Sequence, residues 1–255
     1  MLVMGILNVT PDSFADGGRH NQLDDAVARG LVMFAEGVDL IDIGGESTRP
    51  AAERVDEQEE LLRTIPVIEK IAPFVKNTNV RISIDTMRAS VAEAAIKAGA
   101  SIINDVSAGQ SDLKMLSTAA QLKTPYIAMH WRGHSKDMNS KAIYEDVVAE
   151  TISELEVRIQ AALSAGVTKE NLIIDPGLGF AKEADHNWAI IDAIDRFIDL
   201  GYPVLVGGSR KRFLSGDSPD QREEATINLT KKLKGTGVWA VRVHTVKPHK
   251  EALES

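Results

Sequence analysis

VRISIDTMRASVAEAAIKAGASIIND, residues 80–105, decides the fold. The short apolar run VRISI stops on Asp85, a helical pattern covers residues 87–98, Gly99 interrupts it, and SIIN reaches Asp105. Two such runs around a helix read as a strand–helix–strand unit, in which the strands lie parallel. Working outward, the same punctuation recurs. MGILNV reaches Asn8, VDLIDIGG reaches Glu46, YIAM reaches His130 and LII reaches Asp175. PVLVGG reaches Ser209, and WAVRV reaches His244. Gly37, Gly166, Gly201 and Gly237 repeat the role of Gly99, each ending a helix just before a strand; glycine does so because it enters the left-handed region without a Cβ clash. The runs are rich in Val, Ile and Leu with little alternation, as strands covered on both faces are. Open α/β sheets compete with this topology. Eight evenly spaced units with polar endings favour closure into a (β/α)8 barrel, a TIM barrel, whose site lies at the C-terminal rim.

The chain has 255 residues, close to the roughly 250 of one such barrel, and no composition shift marks a second domain. One barrel over 1–255 is the expectation. A hydrophobic fraction of 44% and a charged fraction of 26% are ordinary for a globular protein. The net charge of −8 and the lack of a basic face argue against nucleic-acid binding. No run approaches the ~20 apolar residues that span a bilayer, and the N-terminus does not read as a signal peptide. With no cysteine, disulfides and thiolate metal sites are excluded, which suits a reducing, cytoplasmic setting.

The helices read from their apolar stripes. Ile143, Val147, Val148, Ile152, Leu155, Ile159 and Leu163 predict one helix over 143–163. Asp185 is expected to cap the next, with Trp188, Ile191, Ile194 and Ile198 inward. Asp24 and Asp25 open a helix through Leu31 and Phe34, residues 56–75 form another that Pro66 bends, and 112–121 a further one. Residues 10–21, 49–55 and 132–141 read as long rim loops, where barrel specificity usually resides.

Asp85, Asn104 and Asp175 end three different strands and therefore meet in the barrel mouth. Carboxylates and an amide there suit the paired N–H and C=O edges of a flat heterocycle. Asp85 with Thr86 also reads as a helix cap, and Asp175-Pro176-Gly177 as a turn. Ser209-Arg210-Lys211-Arg212 follows the seventh strand, where barrels often bind an anion. Cations at a helix start oppose the dipole, so they call for another purpose. Arg242 and His244 alternate on the last strand and face the same way; with Lys211 they suit a diphosphate. Asn8, Asp12 and Asp16 offer hard oxygens for Mg²⁺, and Arg49 suits a carboxylate.

These stretches resemble the dihydropteroate synthase family of folate biosynthesis. MGILNVTPDSFADGG, DIGGESTRP, ISIDT, IINDVSAG, MHWRG, DPGLGFAK, VLVGGSRKRFL and VRVH run from Met4 to His244 in the family's order. GFAKxxxHNWA is most similar to actinobacterial members. The resemblance implies a pterin-binding barrel and a transferase. It would join (7,8-dihydropterin-6-yl)methyl diphosphate to 4-aminobenzoate by an SN1-like route and be a sulfonamide target. It implies Asp85, Asn104, Asp175 and Lys211 as the pterin grip, and Met129, Phe180 and Gly207 as its walls. Asn8, Arg242 and His244 would form the diphosphate pocket, with Asn8 on Mg²⁺. Phe14, Thr48, Arg49, Pro50 and Ser209 would form the aminobenzoate site, with Asp16 on a closing loop. A homodimer packed through the later helices is implied too. The chain departs from the family at Thr245, where Asp is usual, and at Gly208, where Ala or Met is commoner. It also lacks the usual N-terminal hairpin ahead of the first strand, and its last helix is expected to be short.

Two other readings share a pterin pocket. A corrinoid-linked folate methyltransferase has no use for Asn8, SRKR and RVH. A catalytically inert pterin-binding homologue is expected to lose NVTPDSF or STRP, and both are intact.

Overall fold

The computed structural model describes residues 1–10, 19–46, 55–134 and 138–254, without the side chains of 19–21 and 138–139. Eight parallel strands alternate with helices: β1 (Leu2–Asn8), α1 (Arg19–Ala35), β2 (Leu40–Gly44), α2 (Glu57–Val75), β3 (Arg81–Asp85), α3 (Ala89–Ala98), β4 (Ile102–Asp105), α4 (Met115–Leu122) and β5 (Tyr126–Met129). Then come α5 (Val147–Ser164), β6 (Leu172–Asp175), α6 (Ala184–Asp192), α7 (Ile194–Ile198), β7 (Leu205–Val206), α8 (Gln221–Leu233), β8 (Ala240–Val243) and α9 (Lys247–Glu254). The sheet runs β6-β5-β4-β3-β2-β1-β8-β7. A parallel bridge between Ile174 and Val204 joins its two ends. The chain is thus a (β/α)8 barrel.

The strand period of two places the site. Met4, Leu40, Ile102, Ile127, Ile173, Leu205 and Ala240 form one buried cluster inside the barrel. Two residues further along the same strands, on the same face, stand Ile6, Asp42, Asn104, Met129, Asp175, Gly207 and Arg242. The barrel is therefore plugged with apolar side chains below and becomes polar towards its C-terminal mouth. The opposite strand faces carry Val3, Ile41, Ile43, Ile82, Ile84, Tyr126, Ile174 and Val206, which pack under the helices in the main core.

All five glycines expected at helix ends have positive φ, from 77° at Gly201 to 119° at Gly99. The helix boundaries differ from the stripe reading in physical ways. The helix expected from residue 143 begins at Val147, because Asp146 Oδ1 accepts from the N–H groups of Val148 and Ala149, both at 3.0 Å. Ile143 lies before that cap, 78% exposed. Asp185 is not the cap of α6. Glu183 is, and its N–H donates to His186 Nδ1 at 3.2 Å. Trp188 faces outward, half-exposed, and edges against Phe213. The stripe through Ile194 and Ile198 belongs to α7, after a break at Ala193. The first helix starts five residues before Asp24, and α2 runs through both Pro66 and Pro73.

Candidate active site

The barrel mouth gathers four of the predicted residues from four sequence regions. Asp85, Asn104 and Asp175 are all buried, at the ends of β3, β4 and β6. Lys211 arrives from the segment after β7. Its ammonium donates to the carbonyl of Leu178 and stands 4.5 Å from the centroid of the Phe180 ring. The structure separates Asp85 from the capping role. Asp112 Oδ2, not Asp85, accepts from Ala89 N at the start of α3, at 2.8 Å. Asp175 does serve its turn, with Oδ1 accepting from Gly177 N at 2.7 Å. A Cβ on Gly207 would lie 3.6 Å from Asp175 Oδ2, an ordinary van der Waals contact that places this oxygen beside Gly207. Gly177 has φ +70°, and a Cβ there would meet the carbonyl oxygen of His130 at 2.3 Å, a backbone clash nothing can relieve.

Met129 and Phe180 meet on the rim with Met87, Val106 and Trp131 and form an apolar wall. The other wall of the mouth is anionic and cationic together. Arg242 Nε donates to Asp42 Oδ2 and its Nη2 to Asp85 Oδ2, both at 2.6 Å. His244 Nδ1 lies 2.9 Å from Ser209 Oγ, and Ser209 Oγ also accepts from His244 N. Asn8 ends β1 beside Gly44 of β2. The basic run Ser209–Arg212 is not a helix start, contrary to the sequence reading. α8 begins only at Gln221, and Arg210 sits at φ +56° with its guanidinium on Glu223 at 2.5 Å. The dipole conflict read from the sequence therefore does not arise. Phe14, Asp16, Thr48, Arg49 and Pro50 lie outside the described residues, as does Asp12.

Burial tunes these groups. It pushes the Asp85 carboxyl up to about 7, against the pull of Arg242 and with Asp42 adding repulsion. It raises Asp175 as well, opposed by Lys211, and lowers Lys211 to about 8, opposed by Asp175. Asp85 and Lys211 are thus held near the point of giving or taking a proton.

Sequence reasoning missed Asp42. It stands mid-strand in VDLIDIGG, hidden in an apolar run, yet it is fully buried and accepts from Asn104 Nδ2 at 3.1 Å as well as from Arg242. It holds the Asn104 amide so that the carbonyl end is left for the mouth. The signal available was a carboxylate in a strand otherwise made of Leu, Ile and Gly. Two strand-end residues, Asp105 and His130, have the opposite parity and do not face the mouth. Asp105 turns to the helix layer, accepting from Tyr126 Oη and from the N–H groups of Ser107 and Gly109. His130 turns to Glu154 and Lys182.

Residues 4–244 match the pterin-binding enzyme family. The chain belongs to that family. It is 45% identical to dihydropteroate synthase of Mycobacterium leprae, over 99% of this chain and 91% of the relative. It is 47% identical to dihydropteroate synthase of Bacillus subtilis, over 96% and 84%. Among solved structures, dihydropteroate synthase from Xanthomonas albilineans in complex with 7,8-dihydropteroate superposes with a TM-score of 0.88 at 41% identity, covering 99% of this chain and 91% of that one. The Yersinia pestis enzyme with a sulfonamide drug complex gives 0.91 at 39%, covering 99% and 91%.

Proposed function

We infer that this pterin-binding barrel is a dihydropteroate synthase, joining (7,8-dihydropterin-6-yl)methyl diphosphate to 4-aminobenzoate and releasing diphosphate and 7,8-dihydropteroate. One observation carries the reading. Two buried carboxylates, an oriented Asn104 and Lys211 share a mouth with Arg242, His244 and Ser209, so a grip for an amide-edged ring adjoins a grip for an anion. The corrinoid-linked alternative leaves the anion half without purpose.

The chemistry follows from that adjacency. The reacting methylene is attached to an electron-rich ring that spreads positive charge. Asp85 and Asp175 stabilise the ring as diphosphate departs, and Arg242 and His244 receive the charge on the leaving group. The arylamine then attacks a cation, so no side-chain nucleophile is required. The apolar wall of Met129 and Phe180 excludes water, which would otherwise capture the cation. Among the described residues no group of three or more His, Asp and Glu converges on a metal position. Mg²⁺ needs only one or two protein oxygens when phosphate and water supply the rest, and the Asn8 amide oxygen at the end of β1 fits that demand. When bound, the ion would neutralise diphosphate oxygens. Phe14, Thr48, Arg49, Pro50 and Ser209 are proposed to receive 4-aminobenzoate, with Asp16 on the loop that closes over it.

The reading includes a homodimer. Its later helices would form the contact between the two copies. It also includes one pterin-binding domain over 1–255 and residence in the cytoplasm, which the cysteine-free composition suits. No helix among the described residues is long and apolar enough to cross a membrane.

The test is competition and order. A sulfonamide should inhibit turnover in a way that rising 4-aminobenzoate relieves. Calorimetry should show 4-aminobenzoate binding weakly alone and more tightly once pterin and diphosphate are present. Inhibition that excess 4-aminobenzoate leaves unchanged would contradict the reading, as would equal affinity in both states.

A further inference from the structure

Outside the ring of side chains that face the mouth lies a polar chain that the reaction does not use. Lys182 Nζ sits 2.7 Å from His130 Nδ1 and donates to the carbonyls of Gly177 and Phe180, both at 3.2 Å. Glu154 is lowered to about 2, chiefly by its hydrogen bond with His130, and a carboxylate only accepts, so the His130 proton stands on Nε2 and Nδ1 accepts from Lys182. Nε2–H then donates to Glu154 Oε2 on α5 at 2.9 Å. Arg132 grips the same carboxylate and also Glu150, while its guanidinium lies 3.8 Å over the Tyr144 ring. The backbone N–H of His130 in turn donates to the carbonyl of Asp175 at 2.8 Å. Every ring-facing group on the 175–182 segment is touched by this chain or lies one residue from it. Gly177 supplies the N–H to Asp175, Leu178 the carbonyl to Lys211, and Phe180 the wall.

We propose that Lys182 is a positioning residue for the pterin pocket, tying the 175–182 segment through His130 and Glu154 to helix α5. This rests on the pterin reading of the mouth. Lys182 touches no substrate. Its effect reaches the ring through the placement of Asp175, Phe180 and the Lys211 acceptor. Burial, with repulsion from Lys182 when that group is charged, holds His130 neutral down to about 4, as an Nε2–H donor requires, and burial lowers Lys182 itself to about 7.

The experiment measures bare dihydropterin binding by calorimetry, steady-state kinetics and His130 ring-nitrogen shifts by NMR, for wild type, Lys182→Met, Glu154→Gln and the double variant. Wild-type His130 should show the neutral Nε2–H tautomer. Lys182→Met should weaken pterin about tenfold or more, the order of a lost charged contact, and raise the pterin KM while leaving the 4-aminobenzoate KM unchanged. Glu154→Gln should act more weakly in the same direction and add little in the Lys182→Met background. Glu154 lies half-exposed on α5, so this variant keeps the question answerable if Lys182→Met does not fold. Unchanged pterin affinity in both single variants, fully additive effects, or an Nδ1–H tautomer would overturn the proposal. Wild-type protein that binds no pterin would instead overturn the reading beneath it.

Discussion

At the scale of single residues, Asp175 has two oxygens with separate tasks. Oδ1 holds the turn through Gly177, and Oδ2 lies beside Gly207. Asp175→Asn should therefore reduce pterin affinity and turnover together, by about 1.5–3 kcal/mol for a charge-assisted pair, as read by calorimetry and kcat. Normal values for both would leave it a turn residue only. Arg242 and Lys211 separate in the same way, with one refinement from the structure. Arg242→Ala should weaken diphosphate and also raise the Asp85 pKa further, because Arg242 is the group that pulls it down. Lys211→Ala should weaken even the bare pterin. If both variants lose diphosphate affinity alike and neither touches the bare pterin, the basic cluster is one undivided field. Asp85, Asn104, Asp175, Arg242 and His244 were legible because strand endings and period two fix which way they point. Asp42 was not, since nothing in a sequence distinguishes a buried acceptor from an interrupted apolar run. Nor was Lys182, because its partners lie across the fold on β5 and α5.

At the scale of elements, Gly208 and Thr245, two of the departures read from the sequence, sit against α8 at Leu229 and Glu223. A Cβ on Gly208 would meet Leu229 Cδ2 at 2.6 Å. Leu229 therefore packs directly against Gly208. Gly208→Ala obliges the flexible end of the Leu229 side chain to turn aside, so it should cost no more than about 1.5 kcal/mol in a denaturant melt, the order of an off-rotamer side chain. A cost above about 3 kcal/mol, beyond ordinary overpacking, would contradict this account. Thr245 donates to Glu223, which also accepts from Arg210. A carboxylate at 245 would face Glu223 as a like charge, so the substitution is matched to its neighbour on α8. Element order and the glycine stops could be read from the sequence. Asp56 caps α2 where the sequence placed it, with Oδ1 accepting from Glu59 N at 2.8 Å, but other helix starts were misplaced where an unforeseen cap decided them. Asp146 moves one start past Ile143, and Glu183 rather than Asp185 opens α6, because side-chain caps compete locally with the stripe. The basic run after β7 was misread as helical because α8 starts only at Gln221.

At the scale of the whole molecule, burial makes stability depend on pH in two opposing ways. Groups with depressed pKa favour the fold at higher pH. His130, held down to about 4 by burial, costs stability as pH falls from the ordinary 6.5 towards 4. Glu223 and Glu154, both lowered to about 2, lose their contribution as pH falls from 4.5 towards 2, although screening of these partly exposed groups blunts it. Asp85 has the opposite sign. Raised by burial to about 7, it favours the fold below 3.8, and that contribution is lost as pH rises through 7. Urea melts should therefore show Asp85→Asn gaining on wild type as pH goes from about 4 to about 7, and a constant difference would contradict the shift. The barrel exists to hold such strained groups in one mouth, and what that mouth does is decided by a single assay. Purified protein is given (7,8-dihydropterin-6-yl)methyl diphosphate with and without 4-aminobenzoate, and diphosphate and 7,8-dihydropteroate are counted together. The account predicts equal amounts of both, formed at a sustained rate only when the arylamine is present. Pterin binding without any dihydropteroate would contradict it and leave an inert pterin-binding barrel.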